Sequence, residues 1–118
     1  MAIALVPETP QSSMLRSFIA GMGEAAKMED LARLRIGAAL GLRRAARPHR
    51  GCAIEIMALG GGPLGWLPRE DEEVLVATGA DLATTTVRVI GIVPAFQRPR
   101  IQIEVSLPAI DQVVAPAA

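Results

Sequence analysis

At 118 residues the chain is one domain's worth of polypeptide, enough for a single modest core and not for two. Half of it is hydrophobic (51%) and a fifth charged (20%), an ordinary globular balance, with Lys+Arg equal to Asp+Glu and only three aromatics, Phe18, Trp66 and Phe96, so Ile, Leu, Val, Ala and Met must fill the core. One Cys excludes an internal disulfide, and no apolar run approaches the roughly 20 residues of a membrane-spanning helix, so a soluble cytoplasmic domain with no membrane contact is expected.

Residues 1–13 hold Pro7, Pro10 and a Gln-Ser-Ser run without periodicity and read as an extended or disordered arm. Met14 to Ala20 reads as a first strand, with Leu15, Ser17 and Ile19 on one face and Arg16, Phe18 and Ala20 on the other; either face could be the core. Met28, Leu31 and Leu34 recur at three-residue spacing and predict a short amphipathic helix over 28–36, stopped at Gly37. A second strand follows over 38–44, then a basic loop over 45–51.

Cys52 to Leu59 alternates as a strand, with Cys52, Ile54, Ile56 and Ala58 on one face and Glu55 and Met57 on the other. After the turn Gly60-Gly61-Gly62-Pro63, Leu64–Leu67 is a short strand and Pro68–Thr78 a helix with an acidic first turn, whose Val74, Leu75 and Thr78 face inward and whose stop is Gly79. Leu82–Val93 and Arg100–Leu107 read as a hairpin across the loop 94–99, and residues 108–118 as a tail. Strands dominate and crossover helices of βαβ length are missing, so the fold class is mainly β with two short helices, a small closed or nearly closed barrel occupying 14–107.

Three groups of residues invite a chemical reading and do not sustain it. His49 and Cys52 lie three apart, but with no second His or Cys they lack the further ligands a zinc site needs, and they read as a loop His and a small buried Cys. Glu70–Glu73 are consecutive on a helix, so their carboxylates diverge and read as a solvated first turn. Gly60–Pro63 leads into a strand rather than a helix N-terminus, and no Lys-Ser/Thr follows it. No enzymatic constellation, metal or cofactor is therefore expected.

What remains is charge segregation. Between Leu31 and Ile54 there are six Arg and no acid, and eleven of the chain's twelve basic residues are Arg, the better phosphate fork. Arg43, Arg44, Arg47 and Arg50 beside an aromatic platform, Trp66 or Phe18, form the pattern of single-stranded nucleic-acid binding, where Arg neutralises phosphate and a ring stacks on a base. The plain alternatives are an Arg-biased composition and aromatics used as core filler.

The order of these elements resembles the HIRAN domain, found alone in bacteria and fused to remodelling helicases such as the helicase-like transcription factor. The resembling residues are the strand ending at Gly21, Leu31-Ala-Arg-Leu-Arg-Ile-Gly37, Leu40-Gly-Leu-Arg-Arg44, Ala53-Ile54 and Leu64-Gly-Trp-Leu-Pro-Arg69. The resemblance implies a six-stranded OB-like β-barrel with two helices and recognition of DNA, in the helicase-fused members the 3′ end of a single strand. It assigns Phe18 to a base-stacking position, His49 and Arg50 to a Tyr-Asp pair whose Asp takes the terminal hydroxyl, Trp66 to base stacking and Arg69 to phosphate. Here the loop Arg44-Ala45-Ala46-Arg47-Pro48-His49-Arg50 is one residue shorter than the family's, and Arg50 stands where that carboxylate would be. The expectation is a module for single-stranded DNA or DNA ends that prefers phosphate to a free hydroxyl, with protein partners in DNA metabolism. A structural or protein-interaction adaptor that has lost 3′-end recognition is the alternative.

Overall fold

The computed structural model describes residues 13–94 and 99–108. The expected arm apart from Ser13, Ala95–Arg98 of the expected loop and the tail from Ala109 onward lie outside these residues. Six strands make one antiparallel sheet: β1 (Met14–Phe18), β2 (Ala39–Arg47), β3 (Gly51–Ala58), β4 (Pro63–Trp66), β5 (Val87–Val93) and β6 (Arg100–Ser106). Their order across the sheet is β1-β6-β5-β2-β3-β4. Three short helices, α1 (Met22–Ala25), α2 (Met28–Ala32) and α3 (Arg69–Ala77), and a 3₁₀ turn at Leu82–Thr84 complete the described chain.

Alternation decides which side of the sheet is the core. Ile101, Ile103 and Val105 of β6, Val87 and Val89 of β5, Leu40 and Leu42 of β2, and Ile54 and Ile56 of β3 are all buried in one cluster, with Leu64, Leu67 and Leu75 behind them. On β1 the core face is Leu15, Ser17 and Ile19, and the opposite face carries Arg16 and Phe18.

The mainly β fold expected from the sequence forms, and its closed or nearly closed barrel takes the form of an open sheet. The ladder is open, with β1 and β4 at its edges, and one antiparallel bridge between Ala20 and Trp66 touches the edges together. Gly65 permits that approach. A Cβ added there would stand 2.5 Å from both the Ala20 carbonyl oxygen and Ile19 Cγ2.

Several boundaries moved, each for a local reason. β2 runs on to Arg47, because Ala45, Ala46 and Arg47 pair with Ala53, Cys52 and Gly51; only Pro48–Arg50 remain of the expected basic loop. The segment read as strand from Leu82 begins as a 3₁₀ turn: Asp81 caps the Ala83 N–H at 3.0 Å, and the Thr84 and Thr85 hydroxyls donate to the Asp81 carbonyl. α2 stops at Ala32, where i→i−3 bonds from Arg33 and Leu34 tighten the chain, and Met28 is exposed. Helix α1 was not foreseen; Gly21 at φ 63° turns the strand into it. On α3 Leu75 is buried as expected, whereas Val74 is exposed. Cys52, expected buried, is exposed.

The acidic start of α3 is not a purely solvated turn. The Ser17 hydroxyl of β1 donates to Asp71, and the Ile54 N–H of β3 donates to Glu72 Oε2 at 2.7 Å. Glu72 thereby satisfies a backbone group that β4 leaves unpaired when the chain turns into the helix after Leu67.

Candidate nucleic-acid interface

The residues expected to act together divide between the two faces of the sheet and its end. Arg43, Ala45 and Arg47 share one side of β2, and Arg44 lies on the other with Leu42. Across the strands a row runs Arg43, Glu55, Trp66 and then Ala20, set by the β2/β3 and β3/β4 registers and the edge bridge. Phe18, two residues before Ala20, falls on that same outer face by alternation.

Within the row, the arginines are already engaged. Arg43 Nε donates to Glu55 Oε1 at 2.8 Å, and Glu55 is only 6% exposed. Arg47 grips Glu24 of α1 with Nε at 3.1 Å and Nη2 at 2.7 Å, and its guanidinium lies 5.4 Å from the Trp66 ring centroid. Gly21 makes room for this stack, since a Cβ there would meet Arg47 Nη2 at 2.7 Å and Trp66 Cδ1 at 2.9 Å.

Trp66 is 4% exposed, so it is packed beneath Arg47 rather than offered as a free platform. Its indole N–H is buried without a hydrogen-bond partner. The Glu24 carboxyl is held below its ordinary range first by the hydrogen bonds from Arg47, then by the charges of Arg47 and Arg50, with the nearby Trp66 N–H adding least. The same pair holds the Arg47 guanidinium above its ordinary value.

The turn after β2 closes with the Arg50 N–H on the Arg47 carbonyl at 2.9 Å. Pro48 precedes His49, which takes φ 64°, the third-position conformation of a type II turn. His49 and Arg50 are both exposed there. Arg69 opens α3 and is exposed; among the described residues, Arg44, Arg50 and Arg69 make no ion pair.

A second aromatic–arginine pair lies just beyond the edge bridge. The Arg100 guanidinium sits 4.2 Å from the centroid of the half-buried Phe18 ring, in an open cleft of about 530 Å³ whose walls include Arg16, Gln102 and Ile90. Glu70 and Asp71 line the same cleft. Sequence reasoning named Phe18 but missed Arg100 and Arg16. The signal was present in the alternation, which puts Arg16 with Phe18 on β1 and Arg100 with Gln102 on β6; the register then pairs Phe18 with Gln102, the next residue on the same face of β6 as Arg100.

Of the cleft's two arginines, Arg16 is exposed and its Nε lies 3.5 Å from Glu104 Oε2, while Arg100 lies against Phe18. No helix among the described residues is long and apolar enough to cross a membrane. No known family model, curated protein or solved structure matches the chain significantly.

Proposed function

We propose that this domain is a non-enzymatic nucleic-acid-binding module of the HIRAN kind, taking single-stranded DNA or DNA ends in a cytoplasmic setting, with proteins of DNA metabolism as further partners. The observation that carries the reading is the Phe18–Arg100 stack in an open cleft beside Arg16. A base stacks on the outer face of the Arg100 guanidinium, which Phe18 holds flat from below. Repulsion from Glu70 and Asp71, which line the same cleft, directs the strand's backbone toward Arg16 and Arg100. Arg44, Arg50 and Arg69 supply exposed positive charge along the remainder of the domain, while Arg43, held by Glu55, serves the sheet that presents them.

A labelled single strand of about 12 nucleotides, within the range one small single-strand-binding domain covers, provides the test. Binding at low salt that Phe18→Ala weakens by about 1–3 kcal/mol supports the proposal. A Phe18→Ala protein that binds as tightly as the parent sinks it.

A second reading, an adaptor that kept the fold and lost 3′-end recognition, has its own support. Trp66 is buried, and the two arginines beside it, Arg43 and Arg47, already have carboxylate partners. Absence of strand binding at any salt would favour it.

A further inference from the structure

The corner formed by Gly21, Glu24, Arg47 and Trp66 holds an anion of the protein's own making. Glu24 lies on a helix of four residues, keeps 45% of its side chain exposed, and is held by both Nε and Nη2 of an Arg47 side chain only 12% exposed. The charge of Arg50 reaches the same carboxylate from the β2–β3 turn. Beneath the Arg47 guanidinium, the buried indole N–H of Trp66 makes no hydrogen bond. A carboxylate has two oxygens in one plane and here leaves that donor unused; a tetrahedral phosphate has a third oxygen to offer it.

From this we infer that the Arg47–Arg50–Trp66 corner is a binding site for a phosphate monoester, which Glu24 fills in the free protein and vacates when the ligand enters. Arg47 presents its fork to two phosphate oxygens, the Trp66 N–H takes a third, and Arg50 neutralises the second charge. Glu24 swings to solvent on its short helix, which Gly21 and Gly23 make pliable just before it. The inference rests on the nucleic-acid reading for its ligand, the phosphorylated end of a strand, but the site's chemistry stands apart from the Phe18 cleft.

The experiment uses the full chain and the fluorescence of its single Trp. Oligonucleotides of one sequence carrying a 3′-phosphate, a 5′-phosphate or neither, and inorganic phosphate alone, are titrated into the parent protein and into Glu24→Ala and Glu24→Gln. The expected result is that Glu24→Ala binds a phosphorylated end about tenfold more tightly than the parent, with a change in Trp66 emission, while affinity for the unphosphorylated strand is unchanged. Whichever of the 3′ and 5′ ends shows the gain is the end recognised. Arg47→Lys, which keeps the charge and loses the fork, should abolish the gain while retaining the native circular dichroism spectrum. The inference is overturned if Glu24→Ala binds phosphorylated and unphosphorylated strands alike, or if no phosphate ligand alters Trp66 emission. If inorganic phosphate alters that emission and no strand binds, the phosphate site stands and the nucleic-acid reading fails.

Discussion

Ala20 and Trp66 exchange two backbone hydrogen bonds, the Ala20 N–H to the Trp66 carbonyl at 2.8 Å and the Trp66 N–H to the Ala20 carbonyl at 2.7 Å. Through this one bridge the edges β1 and β4 meet, and the two aromatic–arginine pairs come to flank it: Phe18 with Arg100 before, Trp66 with Arg47 after. The placement of both pairs depends on how closely β4 approaches β1.

Gly65 controls that approach. In Gly65→Ala the new Cβ would overlap the Ala20 carbonyl and Ile19 Cγ2, so the bridge must open or the core must shift. Crowding of this kind costs about 1–3 kcal/mol. Urea unfolding of Gly65→Ala should show that loss in its midpoint, together with a change in Trp66 emission in the folded baseline; a variant as stable as the parent would contradict the role given to the bridge.

Arg43 is predicted to matter to the fold more than to a ligand. Its removal leaves the Glu55 carboxylate, 6% exposed, without its hydrogen bond. Arg43→Ala should lower stability by about 1–3 kcal/mol. The adjacent Arg44→Ala, which breaks no ion pair, should stay within about 0.5 kcal/mol of the parent. Equal effects of the two substitutions would show that the Glu55 pair contributes nothing.

These two neighbours mark how far the sequence was legible. The strands read over 52–59 and 100–107, the helix after Pro68 and the stop at Gly79 all follow from periodicity and from Gly and Pro chemistry, and each is found with its ends slightly shifted, though Ala53 and Glu55 are buried beside Ile54 and Ile56 rather than alternating outward. What periodicity does not carry is which carboxylate lies across from which arginine. Arg43, Arg44, Arg47 and Arg50 form one acid-free segment in the chain, yet Glu55 and Glu24 neutralise two of them from other elements. In the same way Trp66 reads as a platform until register puts it under Arg47, and Asp71 and Glu72 read as solvated until β1 and β3 are brought against α3. Long-range pairing decided each of these, and none of them has a local signal.

His49 carries a conformational cost that a glycine would remove. At φ 64° an L-residue gives up roughly 1–2 kcal/mol, against which Gly loses about 0.5–1 kcal/mol in the unfolded chain. His49→Gly should therefore raise stability by about 0.5–1 kcal/mol, read as a higher urea midpoint at unchanged slope. A lower midpoint would mean that the imidazole makes a contact that offsets the strain.

Acid should act through Glu24. Its carboxyl is held below the ordinary value of 4.5, chiefly by hydrogen bonds from Arg47. A carboxylate depressed on folding contributes stability that is present above pH 4.5 and is lost as pH falls through the lower folded value. Glu24→Gln should thus flatten the acid limb of the stability profile below about 4.5, and added salt should shrink the difference from the parent, since Glu24 is solvent-exposed. Superimposable acid limbs for the two proteins would exclude a contribution from the pair.

If Arg16 and Arg100 meet the phosphates of a single strand beside Phe18, as proposed, the salt dependence of binding depends on both side chains. For single strands each phosphate contact contributes about 0.7 to the slope of log affinity against log salt. The account predicts that the parent protein binds with a clearly negative slope and that Arg16→Ala and Arg100→Ala each reduce its magnitude by about 0.7. A slope unchanged by either substitution would contradict it.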